Sequence, residues 1–218
     1  MIRIAIDGPG GAGKSTIAKL VGDKLGLEYI DTGAMYRAVG LKLNRKGIKP
    51  DDLISISNVL EETTIDFVNG KIILDGDDVS DIIRTQEISK FASIYSQIPE
   101  VRSKLVDIQR RIAAGKSVIM DGRDIGTNVL TDAELKVFLT ADSLVRARRR
   151  YEELRSKGVN ANLDDIHEEI KDRDYQDMHR KLNPLAQAED AIRLDTSDMT
   201  IDEVVNTIVA MAARVSCN

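Results

Sequence analysis

The strongest constraint on this chain lies near its start, in Gly8-Pro9-Gly10-Gly11-Ala12-Gly13-Lys14-Ser15. A glycine, a four-residue gap and then Gly-Lys-Ser is the spacing of a loop that wraps phosphate. The glycines let the backbone curl until several N–H groups face one anion. The apolar run Arg3–Asp7 stops at Gly8 and reads as a buried strand. Beyond the loop, Ile17, Leu20, Val21 and Leu25 fall at helical spacing, and Gly26 ends that helix. A strand, a glycine loop and a helix in that order aim the positive helix N-terminus at the same anion. Lys14 then reaches the β- and γ-phosphates of a nucleoside triphosphate, and the Ser15 hydroxyl suits Mg²⁺. The loop establishes triphosphate binding but not the reaction, because ATPases, GTPases and kinases share it.

The remaining pattern alternates strands with helices. Residues 27–31 form a second strand, and Thr32 caps a helix carrying Met35, Val39 and Leu43 that stops at Gly47. Later strands fall at 117–121, 135–139 and 191–195, with helical stretches between or after them. That alternation predicts an α/β fold with a parallel sheet covered on both faces. Residues 64–68 and 71–74 break the rhythm. They flank Asn69-Gly70 and read as a β-hairpin, with a further turn at Asp75-Gly76. A hairpin does not continue a parallel sheet, so it belongs to a small insert.

Composition limits what the loop serves. The chain has 218 residues, 42% of them hydrophobic, which suits one domain with excursions. A net charge of −5 supplies no general field for a nucleic-acid polymer or a membrane. Any polyanion site must therefore be local. A single cysteine, Cys217, a start without a signal-peptide layout and no membrane-length apolar run suggest a cytoplasmic protein.

Local clusters of that kind are present. Ligands of open α/β sheets sit outside the carboxyl ends of strands. Strand two ends in Asp31-Thr32-Gly33-Ala34-Met35-Tyr36-Arg37, where Arg37 is placed to clamp a second phosphate. Strand three ends in Asp121-Gly122-Arg123-Asp124-Ile125-Gly126, and Asp121 resembles a carboxylate that holds Mg²⁺ through water. The run Arg146-Ala147-Arg148-Arg149-Arg150 opens a long charged helix that continues to Lys157-Gly158. Further on, Arg173, Asp177 and Arg180 are spaced to share one helix face. Phosphoryl transfer depends on position and charge, and Arg grips oxygen pairs bidentately. So many arginines suit two nucleotides better than one, and the guanine-reading Asn-Lys-x-Asp element of GTPases is absent.

The phosphate loop, Asp31-Thr32-Gly33-Ala34-Met35-Tyr36-Arg37, Ile83-Arg84-Thr85-Gln86-Glu87, Asp121-Gly122-Arg123-Asp124-Ile125-Gly126-Thr127 and residues 170–180 together resemble bacterial cytidylate kinases. The likeness covers essentially the whole chain, in order. It implies a P-loop three-layer α/β/α fold with a five-stranded parallel core sheet, a monophosphate-binding insert containing a small antiparallel β element, and a short helical lid. It implies a core of residues 1–31, 103–148 and 166–218, a monophosphate region at 32–102 and a lid at 149–165. The implied reaction is ATP + CMP or dCMP ⇌ ADP + CDP or dCDP with Mg²⁺, by a monomer.

Site roles carried over on that resemblance are as follows. Residues 8–16, from Gly8 through Lys14 and Ser15 to Thr16, hold ATP, with Mg²⁺ on Ser15 and, through water, Asp121. Arg37, Arg123 and Arg180 hold the CMP phosphate, and Asp177 meets the ribose. Ser93, Arg102 and Asp124 read cytosine, with Arg173 nearby and Thr32 and Tyr36 lining the same nucleotide. Thr32 stands where the family often has Ser, so the hydroxyl survives. Arg149 and Arg150 close over the transferring phosphoryl, giving Lys14, Arg123, Arg149, Arg150 and Arg180 as the catalytic set. Rival readings are a related kinase acting on UMP, AMP or another small acceptor, and a non-catalytic ATP-binding module.

Overall fold

The computed structural model describes residues 1–68, 70–156 and 158–216. Asn69, Lys157 and Cys217, named above, lie outside the described residues. The chain divides into two compact units, Met1–Tyr29 with Ser117–Asn218, and Ile30–Lys116.

The first unit is built on a sheet. Strands β1 (Arg3–Asp7), β2 (Glu28–Asp31), β6 (Val118–Gly122), β7 (Leu135–Thr140) and β8 (Ile192–Asp195) stand in the order β2-β6-β1-β7-β8. This is the five-stranded parallel core that the alternating pattern predicts. β1 is central, with Ile4 opposite Ile119 on one side and Leu135 on the other. All five residues of β6 are buried, and it opens on the apolar run Val118, Ile119 and Met120. Helices α1 (Lys14–Leu25) and α8 (Ile201–Ser216) cover one face. Ile17, Ala18 and Val21 of α1 and Val204, Val205 and Ile208 of α8 pack there with Ile4, Ile6, Val137 and Leu139. Each such aliphatic side chain contributes about 1.5–3 kcal/mol when fully buried. Leu20, expected on the inner stripe of α1, is instead exposed. Its position lies beyond the edge of the stripe set by Ile17 and Val21. Helices α6 (Ser143–Ser156) and α7 (Leu163–His179) pack on one another.

The second unit holds α2 (Thr32–Arg45), α3 (Leu53–Glu61), α4 (Gln86–Tyr95), α5 (Pro99–Ala113) and an antiparallel sheet. β3 (Ile65–Val68) and β4 (Lys71–Leu74) form the expected hairpin, with Ile65 opposite Leu74 and Val68 opposite Lys71. The turn at Asp75-Gly76, both at positive φ, returns the chain into a short third strand, β5 (Asp77–Asp78). One expectation is corrected at the start of α2. Thr32 is the first helical residue, and the cap is Asp31, whose Oδ1 accepts the Ala34 N–H at 2.8 Å. Both residue types cap well. Only Asp31 has the extended backbone that a cap requires.

Candidate active site

The phosphate loop leaves the carboxyl end of β1 and enters α1. Gly8, Gly11 and Gly13 have φ of 148°, 75° and 84°. Gly13 is the N-cap of α1 and provides no side-chain cap, so the first N–H groups of the helix are left for a ligand. Lys14 folds back over the loop, and its Nζ donates to the Pro9 carbonyl at 2.8 Å. Burial, together with the nearby charge of Arg123, pushes its ammonium down to about 7, against the pull of Asp121, Asp177 and Asp7. A phosphate is the counter-charge this ammonium lacks. Ala12 is buried in the core and offers the loop only its backbone, whereas Ser15 and Thr16 are exposed.

The register of β1 against β6 sets Ile6 opposite Asp121 and Asp7 opposite Gly122. Asp121 therefore arrives beside the loop. It accepts the Ser15 hydroxyl at 2.9 Å and the Tyr29 hydroxyl at 2.8 Å. A serine hydroxyl beside one carboxylate, with phosphate oxygens completing the shell, is a donor set that fits Mg²⁺.

Arginines and carboxylates from the β6 end and α7 form a network in the same unit. Arg123 Nε donates to Asp177 at 2.7 Å, and Arg180 lies 3.9 Å from the same carboxylate. Burial works to raise the Asp177 carboxyl, but Arg123, then Arg173 and Arg180, hold it below the ordinary value. Arg180 also donates to Asp124 at 3.1 Å and to the Asn183 carbonyl at 2.6 Å. Arg180 is not on the helix face expected for it. It follows the last residue of α7 with an extended backbone and reaches Asp124 from there. Arg173 and Arg123 border Gly10, where a Cβ would lie 3.8 Å and 3.4 Å from them.

Arginines that open α6 hold partners of their own. Arg149 donates to the Thr196 carbonyl at 2.6 Å, and half-buried Arg150 pairs with Glu153. Arg146 is the one that reaches the loop. It is 4% exposed and donates to the Gly10 carbonyl at 2.8 Å, to the Ala141 carbonyl and bidentately to Asp174. Its signal in the sequence is position: the first arginine of a helix lies nearest the carboxyl edge of the strand before it. The placement of Asp7 was also not foreseen. A carboxylate ending a buried apolar strand must find donors, and this one accepts the Ile125 and Gly126 N–H groups.

In the second unit, Arg37 donates to Asp31 Oδ2 at 2.9 Å, so the capping carboxylate also fixes the arginine. The Arg37 Nε is buried and has no hydrogen-bond partner among the described residues. Arg102 is 1% exposed, with its guanidinium 5.5 Å from the Tyr36 ring centroid and a bond to the Ser96 carbonyl. Ser93 is half-buried on α4, and Thr32 is buried at the head of α2.

Comparison with known proteins identifies the family. A family model described as cytidylate kinase matches residues 4–214. A cytidylate kinase of Caldanaerobacter subterraneus subsp. tengcongensis is 53% identical over 207 residues, 95% of this chain and 92% of that protein. One of Clostridium botulinum is 51% identical over 213 residues, 98% of each. One of Caldicellulosiruptor saccharolyticus is 52% identical over 221 residues, 100% of this chain and 98% of that protein. Among solved structures, an uncharacterized protein from Eubacterium ventriosum aligns with a TM-score of 0.53 at 13% identity over 98% of each chain. Shikimate kinase from Acinetobacter baumannii, in complex with shikimate, aligns with a TM-score of 0.50 at 13% identity over 98% of this chain and 94% of that one. Those two likenesses concern the fold alone. With the match spanning nearly its whole length, the chain belongs to the cytidylate kinase family.

Proposed function

We propose that this protein transfers the γ-phosphoryl group of ATP to CMP or dCMP, giving ADP and CDP or dCDP. The observation that carries this reading, within that family, is a phosphate loop bordered by arginines that carboxylates already hold in place. Residues 8–16 take the ATP phosphates, with Lys14 on the β- and γ-phosphates. Ser15 and, through water, Asp121 would hold Mg²⁺, which would supply charge neutralisation at the phosphates. Arg123 and Arg180, with Arg37 of the second unit, take the acceptor phosphate, and the unpartnered Arg37 Nε supports that role. Asp177 meets the ribose, while Ser93, Arg102 and Asp124 read the base, with Arg173, Thr32 and Tyr36 as further contacts. Attack by a phosphate oxygen in line with the leaving group requires no strong side-chain base.

We assign residues 149–165 to a lid and residues 32–102 to acceptor binding. Arg149 and Arg150 are assigned to the transferring phosphoryl, which requires both to leave the partners they hold here. We place the protein in the cytoplasm as a monomer.

Cytosine offers an N4 amino donor, which a carboxylate accepts. Uracil places an oxygen there instead, and an unpaired buried polar group costs about 1–3 kcal/mol. A coupled ADP-release assay across CMP, dCMP, UMP and AMP tests the reading, with CMP or dCMP expected as the preferred acceptor. A clear preference for UMP or AMP overturns it. Asp124→Ala is expected to reduce the CMP-over-UMP preference roughly tenfold, with the KM for ATP unchanged. Full discrimination in that variant would remove Asp124 from base reading.

A further inference from the structure

The turn that follows β6 is a short π-helical turn, Ile125–Val129, and its leading N–H groups need acceptors. Asp124 stands in the capping position, yet its side chain makes no capping hydrogen bond. The cap comes from a different strand. Asp7, at the end of β1, accepts the Ile125 N–H on Oδ1 at 2.8 Å and the Gly126 N–H on Oδ2 at 2.7 Å. The β1–β6 register makes this possible, because Asp7 lies opposite Gly122, the last residue of β6. Gly126 completes the fit, since a Cβ there would stand 3.3 Å from Asp7 Oδ2 and 3.1 Å from the Lys136 side chain.

We propose that Asp7 is a positioning residue for acceptor recognition: by capping the 125–129 turn from β1, it spares Asp124 that task and holds the Asp124 carboxylate toward Arg180 and the base. The inference rests on the reading of Asp124 given above. The observed partners fit it, since the Asp124 carboxylate accepts from Arg180 at 3.1 Å and from the Asn128 side chain at 3.1 Å and makes no capping hydrogen bond to the turn. Asp and Asn ordinarily cap the turn they precede. Without Asp7, the residue in the capping position of that turn is Asp124, an acceptor by type. Burial outweighs the Gly126 and Ile125 N–H groups and raises the Asp7 carboxyl to about 6.

Asp7→Asn separates the possibilities. An amide keeps one acceptor and turns an NH₂ group toward a backbone N–H. The KM for CMP is expected to rise about tenfold and the CMP-over-UMP preference to fall, while the KM for ATP stays within about twofold. Combining Asp7→Asn with Asp124→Ala should do no more to discrimination than Asp124→Ala alone, because one residue acts through the other. Hydrogen exchange at the Ile125 and Gly126 amides should be at least about tenfold faster in Asp7→Asn. Unchanged exchange, or additive effects in the double variant, overturns the proposal. If Asp124→Ala alone leaves discrimination intact, the base reading fails, and the amide exchange decides the positioning role without it. If Asp7→Asn does not fold, Gly126→Ala pushes the turn off the carboxylate with Asp7 retained, and an unchanged KM for CMP in that variant overturns the proposal.

Discussion

Lys14→Ala is expected to lower kcat by a factor on the order of 10³ or more while the protein stays folded. Lys14 is 6% exposed, and its ammonium donates to the Pro9 carbonyl. Removing it forfeits that bond, worth about 1 kcal/mol, but also removes a buried cation whose charge burial disfavours. The two effects on folding oppose one another, so the melting temperature should change little. Catalysis has no such compensation. In the proposed reaction Lys14 carries the positive charge of the loop onto the β- and γ-phosphates, while Arg123 serves the acceptor phosphate. Calorimetric melting beside the coupled kinase assay separates the two effects. Retention of kcat within tenfold would remove Lys14 from the reaction. Unfolding of the variant would show that the loop depends on Lys14 for its shape.

Gly8→Ala is expected to be the most disruptive single-methyl change in the loop. Gly8 has φ 148°, and a Cβ built on it would stand 1.9 Å from the Leu139 carbonyl oxygen, with the Leu139 carbonyl carbon at 3.0 Å. That oxygen is main chain of β7, paired to β1 through the whole core, so no rotamer change relieves the contact. Separation of β1 from β7 would be required, and a loss of about 4 kcal/mol or more is expected. Gly13 is the internal control. Its φ is 84° with nothing within 4 Å of the added methyl, so Gly13→Ala should cost only the backbone term, about 1–2 kcal/mol. Urea unfolding of both variants gives the comparison, and equal midpoints would disprove it. Calorimetric titration with ATP should show binding lost in Gly8→Ala even where the protein remains folded.

What could be read from the chain alone follows the range of each interaction. The loop was legible because its chemistry is contained in eight consecutive residues with a strand before and a helix after. Strands β1, β6 and β7 were legible because burial on both faces leaves an apolar run, and the hairpin because Asn-Gly fits few other turns. Errors arose where neighbouring residues competed for one task. Asp31 and Thr32 both suit a cap, and backbone geometry decided for Asp31. Arg180 continued a helical spacing, but α7 ends at His179 and the arginine turns away to Asp124. Of the arginines in 146–150, the one on the loop was set by how α6 leaves β7 and by Asp174 on α7, neither of which is local. Asp7 was beyond reach for the same reason, because its partners are more than a hundred residues away and are met only through the β1–β6 register.

The hold of Arg146 on the Gly10 carbonyl has a further consequence. A glycine-rich loop of this length is an entropic burden if each incoming nucleotide must order it. Here two carbonyls of the loop are already occupied from within, Pro9 by Lys14 and Gly10 by Arg146, and Asp174 fixes the latter arginine. The reorganisation is thus borne once, during folding, and not at every turnover. In the proposed reaction ATP thus meets a loop already held at Gly10 by Arg146, which reduces the ordering cost set against its affinity.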